Sequence, residues 1–357
     1  MKTAKIFLTV TIITGAAAYA RAVEGAGTPA APSSSVVVST AVDTKKLSAM
    51  PLDTLKAKIK AAKDNNERRQ YVGAVRQFKP KTEKDVKLLI DLATEDNAKG
   101  VAMDAALYAI SDIKATDTQL EPAFINMLQD KRARARNIGM QMCGKFKSKK
   151  ALPIILEKFQ KMNPDAADED SQTEHVGMWA SLGAYGKDAI PGLLKIAKEN
   201  PNKRMHKQIG YAIGEIKDKG AVPQLIGMIK DKAVAPEIRT KAIDVAGKIG
   251  GETAVQELMK IFKEEKDYKS KVDIVIATGH GKSVTAIPFL EAVLRNESDS
   301  TLRSSASTAL ERIGGEGAVN ALSEALKTET DNSVRERIAY SLKNLTGKDY
   351  EWKTNPK

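Results

Sequence analysis

The feature that most constrains the fold is a short segment that recurs along the chain at nearly constant spacing. It consists of Ala, then Val or Ile, then two variable residues and Leu, and its copies begin at Ala189, Ala221, Ala254, Ala286 and Ala318. Successive copies therefore start at almost equal intervals, and a related copy at Ala151 precedes them by a slightly longer step. A period of this length is typical of repeat proteins, in which each unit packs only against its neighbours.

The apolar spacing within one period predicts two helices. In the first, Ile287, Leu290 and Leu294 fall on one helical stripe, and Pro288 suits the first turn, where its missing N–H needs no partner. A second stripe, with Asp299 before it as N-cap and two glycines after it, is formed by Leu302, Ala306, Ala309, Leu310 and Ile313. Because neither helix buries its stripe alone, the sequence predicts an all-α array of stacked helix pairs, with Ala242 and Ala306 against neighbouring helices.

Two of the predicted second helices begin with the same pattern, Asp, three variable residues and Arg, at Asp299–Arg303 and Asp331–Arg335. Together with the Ala-Val/Ile-Pro helix, this pattern resembles the HEAT family in the short bacterial form named after phycobilisome lyases. The resemblance is clear over residues 119–345 and faint over 47–118. It implies a right-handed α-solenoid (a superhelix) of about eight HEAT-like helix pairs, a fold that serves mainly as a scaffold.

The N-terminal residues indicate export. Lys2 and Lys5 precede an uncharged apolar stretch that is short for a membrane span, and small residues then offer cleavage after Ala20 or Ala22. We therefore predict a signal peptide (1–22), a disordered Ala/Pro/Ser-rich linker (23–46), the HEAT-like solenoid (47–345) and a C-terminal capping tail (346–357) containing Trp352. The predicted location is the periplasm or the outside of the cell, and no integral membrane span is expected.

The net charge of the chain indicates which classes of partner it favours. The net charge is +12, and it falls to +9 when the three cations of residues 1–22 are removed. This surplus favours anionic partners, among them acidic proteins and anionic envelope components, although interspersed acids also fit an ordinary solvated surface. Export separates the protein from nucleic acid, and few aromatic residues accompany the basic clusters, so no nucleic-acid partner is expected. We predict a protein or peptide partner, with acidic character as one option, and the oligomeric state stays open.

The cysteine and the histidines do not form a recognisable catalytic or metal-binding motif. Cys143 is the only cysteine and lies in a helical context, where a small buried hydrophobe is the favoured interpretation. HEAT-like di-iron hydroxylases carry His-Glu pairs, but Glu follows none of the three histidines, which we interpret as surface or helix-end residues: His175, His206 and His280. The sequence therefore predicts no metal, no cofactor and no enzyme activity.

One segment superficially resembles a phosphate-binding loop. Residues 274–283 end in Gly-His-Gly-Lys-Ser, but the position where the P-loop pattern needs its first glycine holds Ile276. The same segment falls where the repeat requires a second helix. We therefore predict a helix here, with a buried stripe made of Tyr268, Val272, Val275 and Ile276.

Two surfaces remain as candidate binding sites. The resemblance implies that second helices line the concave face, and the repeat alignment places an exposed row there: Tyr211, Asp244, Thr308 and Tyr340, with Lys207 one turn before Tyr211. A possible basic patch consists of Arg132, Arg134, Arg136, Lys147, Lys149 and Lys150. The predicted function is a non-catalytic protein–protein interaction scaffold. The alternatives are a HEAT-like lyase or hydroxylase-type enzyme subunit and a binder of anionic envelope components.

Overall fold

The computed structural model describes Leu47, residues 49–94 and residues 101–353, and these residues form helices and loops without any strand. The predicted signal peptide and linker lie outside the described residues. None of the described helices combines the length and the apolar character needed to cross a membrane. The predicted all-α fold of stacked helix pairs is confirmed.

The chain divides into two compact units. The first unit contains the described residues up to Ile155 together with Ala167–Met178, and the second contains Leu156–Ala166 and the residues from Trp179 onward. The first eight helices in chain order are α1 (Leu52–Ala61), α2 (Asn65–Arg76), α3 (Glu83–Thr94), α4 (Val101–Ser111), α5 (Glu121–Met127), α6 (Ala133–Phe146), α7 (Ala151–Lys161) and α8 (Glu169–Tyr185). They are followed by α9 (Ile190–Glu199), α10 (Lys203–Gly214), α11 (Val222–Lys230), α12 (Pro236–Glu264), α13 (Tyr268–His280), α14 (Ile287–Asn296), α15 (Ser300–Ile313), α16 (Gly315–Thr328) and α17 (Asn332–Thr346).

Helix α12 combines the second helix of one pair with the first helix of the next. Gly251 lies inside it with φ 55° and ψ −145°, a conformation that glycine adopts without strain and that breaks the helix into two parts. The described residues therefore contain nine helix pairs, compared with the prediction of about eight. The additional pair is α1–α2, in the region where the repeat pattern of the sequence is faint.

The Asp-x-x-x-Arg pattern closes the turn between the two helices of a pair. The Asp299 carboxylate accepts a hydrogen bond from the Leu302 N–H at 2.9 Å, which confirms the predicted N-cap. Arg303 donates to the backbone carbonyls of Glu297 and Ser298 in the same turn, at 3.0 and 2.8 Å. The two residues of the pattern thus complete the hydrogen bonds of one turn. The aspartate accepts from a helix N–H that has no backbone partner, and the arginine donates to the loop carbonyls.

The same arginines also join neighbouring repeats. The Arg303 guanidinium binds both oxygens of Glu329, at 2.7 and 2.9 Å, and the equivalent pair two repeats earlier, Arg239 and Glu265, is 3.5 Å apart. Arg335 instead donates to the Trp352 carbonyl at 2.7 Å, so the C-terminal tail folds back onto α17. The bounds of the predicted domains, including the capping tail, remain predictions.

Successive second helices pack through small residues. A Cβ atom built on Gly247 would lie 2.5 Å from the Ala277 carbonyl oxygen, and one on Gly279 would lie 2.6 Å from the Ala309 Cα. Ala306 and Ala242 are completely buried, as predicted. The predicted stripe of α13 is wrong at Tyr268, because that side chain is 48% exposed and donates its hydroxyl to Asp299 instead. Val272 and Ile276 are also partly exposed, and of the four predicted residues only Val275 is buried.

Candidate functional site

The second helices of the second unit share one accessible position. One residue per repeat occupies it: Tyr211 on α10, Asp244 on α12, Ile276 on α13, Thr308 on α15 and Tyr340 on α17. We call these residues the row. Tyr211 and Tyr340 are 41% and 55% exposed, and the other three are partly exposed. The structure thus leaves the four predicted row residues and Ile276 accessible to a ligand.

An aromatic pair lies at the beginning of the row. The Trp179 and Tyr211 ring centroids are 4.7 Å apart with the planes tilted by 51°, and Lys207 Nζ lies 5.8 Å from the Tyr211 ring centroid. Trp179 precedes Tyr211 by one repeat period, so it occupies the row position on α8. Sequence reasoning missed Trp179, although a single further repeat step backwards from Tyr211 leads to it.

The tyrosine at the other end of the row has a similar neighbour. The Arg337 guanidinium carbon lies 4.9 Å from the Tyr340 ring centroid, and Arg337 also pairs with the Glu311 carboxylate. In the first unit, Tyr108 is 40% exposed and has Arg76 at 4.4 Å from its ring. Each of these exposed tyrosines therefore carries a cation on its ring, an arrangement that stabilises by about 0.5–1 kcal/mol at exposed sites.

A groove of about 240 Å³ lies between α12 and α13, where the row passes from one helix to the next. Its lining comes from both helices: Thr240, Lys241, Asp244, Asp273, Ile276, Ala277 and His280. The Asp244 carboxylate binds Lys248 at 2.8 Å and Lys241 at 3.4 Å, and His280 Nδ1 lies 3.6 Å from Asp244 Oδ1. The Thr240 hydroxyl donates to Asp273 Oδ2 at 2.9 Å.

Burial and neighbouring charges shift the pKa values of the ionisable groups in the groove in different directions. Burial raises the pKa of Asp244, but the hydrogen bond from Lys248 and the charge of Lys241 outweigh burial, so the pKa lies below its usual value. Burial also raises the pKa of Asp273, and there the hydrogen bond from Thr240 does not compensate. Burial, followed by the charge of Arg312, lowers the pKa of His280 and favours the neutral imidazole. At neutral pH the groove therefore presents the Asp244 carboxylate and a neutral imidazole.

The repeat geometry agrees with the family comparison. A model of HEAT repeats matches residues 190–277 and 266–343. The helix pairs of residues 190–343 are therefore HEAT repeats. The row and the groove both lie on second helices of these HEAT repeats.

Solved structures give distant matches. Human deoxyhypusine hydroxylase is 16% identical, with a TM-score of 0.33, over 74% of this chain and 97% of that one. The CpcE–CpcF complex of phycocyanin lyase from a Nostoc species is 20% identical, with a TM-score of 0.30, over 62% and 86%. Importin beta is 13% identical, with a TM-score of 0.40, over 82% of this chain and 47% of that one. A comparison with curated protein sequences gives no match.

The predicted basic patch precedes residues 190–343 in the sequence, and two of its six residues form ion pairs. Arg132 binds Asp91 and Asp130, at 2.9 and 2.8 Å, and Arg136 pairs with Glu174. The other four cations are exposed: Arg134, Lys147, Lys149 and Lys150. Arg132 and Arg136 thus connect helices of the first unit, and only the remaining four present their charge to solvent.

The histidines and the cysteine differ in their surroundings. His175 and His206 are buried, which corrects their interpretation as surface residues, and a His206 ring nitrogen lies 2.7 Å from the Asn200 carbonyl. His280 ends α13, so residues 274–280 are helical where a phosphate-binding loop would need an open turn. Burial raises the pKa of the Cys143 thiol to about 12, which keeps it protonated and unreactive. Within the described ranges, no three His, Cys, Asp or Glu side chains are grouped to hold a metal ion.

Proposed function

We propose that this protein is exported and that its HEAT repeats bind an extended segment of a partner protein along the row, without catalysing a reaction. The observation that carries the proposal is the recurrence of exposed aromatic side chains at one repeat position. Tyr211, with Trp179 beside it, lies at one end of the HEAT repeats and Tyr340 lies at the other. Tyrosine and tryptophan supply large contact areas at a small cost in side-chain entropy, which makes them common anchors at interfaces.

The spacing of the row suits an extended chain. Packed helices lie about 8–10 Å apart, and an extended peptide advances about 3.3 Å per residue. One repeat therefore corresponds to about three peptide residues. A partner segment with anchoring side chains at roughly that interval meets one row residue per repeat, while the polar row residues Asp244 and Thr308 offer hydrogen-bonding groups to its backbone.

The partner's charge and the location follow from the sequence. A net charge of +9 after removal of residues 1–22 speeds association with an acidic protein and makes the association rate depend on salt. Export to the periplasm or beyond separates the protein from nucleic acid. N-terminal sequencing of the exported protein should give Val23 or Arg21 as the first residue, and an exported chain that still begins at Met1 would contradict the predicted signal peptide.

Site-specific cross-linking tests the binding surface. A photoreactive phenylalanine analogue at Tyr211 or Tyr340 should capture the same envelope protein in living cells, because both positions lie on the row. Tyr268 is the matched control, since it is an equally exposed tyrosine of the same unit at the beginning of α13. Capture of different proteins at the two row positions, or equal capture at Tyr268, would contradict the proposal.

The two alternatives predict other results. A lyase or hydroxylase-type enzyme would carry a stoichiometric chromophore or metal, so elemental analysis finding about one or two irons or zincs per chain would replace the scaffold proposal. A binder of anionic envelope components would bind vesicles containing acidic lipid, and this binding would depend on Lys147, Lys149 and Lys150 rather than on Tyr211. Binding of a protein that is lost in a Tyr211→Ala variant and retained in a Lys149→Ala variant favours the row.

A further inference from the structure

The groove between α12 and α13 contains two carboxylates with unequal compensation. Asp244 has two lysines of its own helix within ion-pair distance, Lys241 and Lys248. Asp273 receives one hydrogen bond, from the uncharged Thr240 hydroxyl. The charge of Lys269 acts on it from a longer distance, and across the part of the chain that the structure describes no cation lies within ion-pair distance of it. A half-buried carboxylate that has lost hydration without gaining a cation is a point where a ligand cation gains the most.

A second acceptor lies about two helical turns beyond Asp273, at the C-terminal end of α13. His280 Nδ1 is shielded from solvent and has no hydrogen-bond partner among the described residues, because its distance of 3.6 Å from Asp244 is too long for a hydrogen bond. The neutral imidazole offers Nδ1 as an acceptor when the proton is on Nε2. Asp273 and His280 belong to the same helix, and the groove wall between them is apolar, formed by Ile276 and Ala277.

Lys241, a cation of the protein that also lines the groove, is held at the side opposite α13. A Cβ atom built on Gly214 of α10 would lie 2.8 Å from Lys241 Cε, so the aliphatic stem of Lys241 passes over Gly214 towards Asp244. The absence of a side chain at Gly214 thus gives Lys241 its place against α10. The side of the groove formed by α13 remains accessible, and it carries the uncompensated acceptors.

We propose that this groove receives an arginine side chain of the partner segment, with the guanidinium bound between Asp273 and His280 and the aliphatic stem against Ile276. This rests on the proposed function only for the source of the arginine. A guanidinium suits the site because it is planar, offers five donors in a fixed fork and is less strongly hydrated than an ammonium group. The raised pKa of Asp273 agrees, since a bound cation removes the cause of the rise. An acidic partner is compatible with this site, because a single arginine in its bound segment is enough to fill the groove.

A small probe tests the groove separately from the protein partner. We would titrate the purified protein with acetyl-Gly-Arg-Gly-amide and follow the Ile276 δ1 methyl resonance by NMR. The same peptides with citrulline and with lysine in place of arginine serve as controls, because citrulline keeps the shape without the charge. We expect a saturable shift with arginine, weaker binding by roughly tenfold or more with citrulline, and intermediate binding with lysine.

Charge-removing variants complete the test. Asp273→Asn should weaken arginine binding by roughly tenfold or more, whereas Asp188→Asn, at an exposed acid of the same unit, should leave it unchanged. If Asp273→Asn lowers the melting temperature, the equally sized pair Asp273→Glu and Asp273→Gln isolates the charge, and only Asp273→Glu should retain binding. Equal binding of arginine and citrulline, or arginine binding that persists in the folded Asp273→Asn and Asp273→Gln variants, would overturn the proposal.

The two proposals fail in different experiments. If the arginine peptide binds as expected while cross-linking at Tyr211 captures no common partner, the groove is established and the protein-binding function is wrong. If cross-linking succeeds and the groove variants do not affect the peptide, the row binds its partner without an arginine in the groove.

Discussion

The helices between residues 222 and 346 and those between 52 and 146 form similar pairs, but different contacts join them. In the C-terminal region the close approaches are between second helices of successive repeats, as at Gly247 and Gly279. In the N-terminal region a Cβ atom on Gly139 would instead meet the first helix of its own pair, 2.9 Å from the Phe124 carbonyl oxygen. The region that carries the regular Ala-Val/Ile copies thus uses one contact repeatedly, whereas at Gly139, ahead of those copies, a different contact holds the helices together.

The ion pairs of the two regions differ in which elements they join. In the C-terminal region, Arg303 reaches Glu329 in the turn of the next repeat, and both side chains are largely buried. In the N-terminal region, Arg132 pairs with Asp130 in its own turn and with Asp91 on the helix α3. The Arg303–Glu329 and Arg132–Asp91 pairs both join neighbouring helix pairs, whereas the Arg132–Asp130 pair stabilises its own turn. The comparison predicts which substitutions weaken repeat stacking and which act locally.

The largest effect is expected from placing a charge in the repeat interface. Ala306→Glu introduces a carboxylate at a completely buried position of α15 and should lower the free energy of unfolding by about 4 kcal/mol or more. Thr308→Glu, on the partly exposed face of the same helix, should cost about 0.5 kcal/mol or less. Thermal unfolding measures both, and limited proteolysis should cleave the C-terminal repeats first in the Ala306 variant. Equal melting shifts would show that the two faces of α15 are assigned wrongly.

The next largest effect is expected from breaking the pair between repeats. Arg303→Met removes the guanidinium from the buried Glu329 carboxylate, which keeps only the N–H groups of Thr330 and Asp331, and from two loop carbonyls. The expected cost is about 3 kcal/mol at neutral pH. Burial raises the pKa of Glu329, but the hydrogen bond from Arg303 outweighs it, so the folded pKa lies below the usual 4.5. This stabilisation is therefore present above pH 4.5 and is lost as the pH falls through the lowered value.

Denaturant unfolding between pH 7 and pH 3 measures that loss. The wild type should lose more stability than Arg303→Met on acidification, so the difference between them should shrink as Glu329 becomes protonated. Arg132→Met in the N-terminal region is the comparison, because Arg132 holds the pKa of Asp130 at about 2 and its contribution should persist to lower pH. A constant difference for Arg303→Met over the whole range would contradict the role of the Glu329 carboxylate.

A smaller effect is expected from filling the close contact between second helices. Gly279→Ala places a methyl group within 2.6 Å of backbone on α15 and should destabilise by about 2 kcal/mol through overpacking. Gly227→Ala, on α11 with no atom within 4 Å of the new Cβ, should stabilise by up to about 1 kcal/mol through helix propensity. The two melting temperatures should move in opposite directions. A stabilised Gly279→Ala variant would mean that successive second helices are not held at this distance.

The smallest difference between the regions is expected at the helix caps, which both regions use. Asp331 accepts hydrogen bonds from the N–H groups of Ser333 and Val334, and Asp64 accepts them from Asn66 and Glu67. Replacing either aspartate by Ala should cost about 1 kcal/mol. Urea titrations of Asp331→Ala and Asp64→Ala should therefore give similar shifts. A much larger cost for Asp331→Ala would show that capping also contributes to contacts between repeats.

The regular part of the fold could be predicted because its information is local. The period places Ala306 in the interface, and the residue type before α15 predicts the Asp299 cap, since both depend on a few neighbouring residues. Trp179 was missed because its helix precedes the first regular copy at Ala189, although it lies one repeat period before Tyr211. The groove was missed because Asp273 and Thr240 are far apart in the sequence, and their contact depends on helix packing. The burial of two histidines and the pairing of Arg132 with an acid on α3 likewise depend on tertiary contacts.

The arginine of the last repeat has a consequence for protein engineering. Arg303 finds its acid in the following turn, but Arg335 binds the backbone carbonyl of Trp352 as well as the carbonyls of Leu326 and Glu329. The returning tail thus occupies the place that the next turn occupies for Arg303. A longer designed array would therefore need two coordinated changes, deletion of the tail after Gly347 and a glutamate in the new turn. Grafting a repeat onto the intact tail would leave two segments competing for one guanidinium.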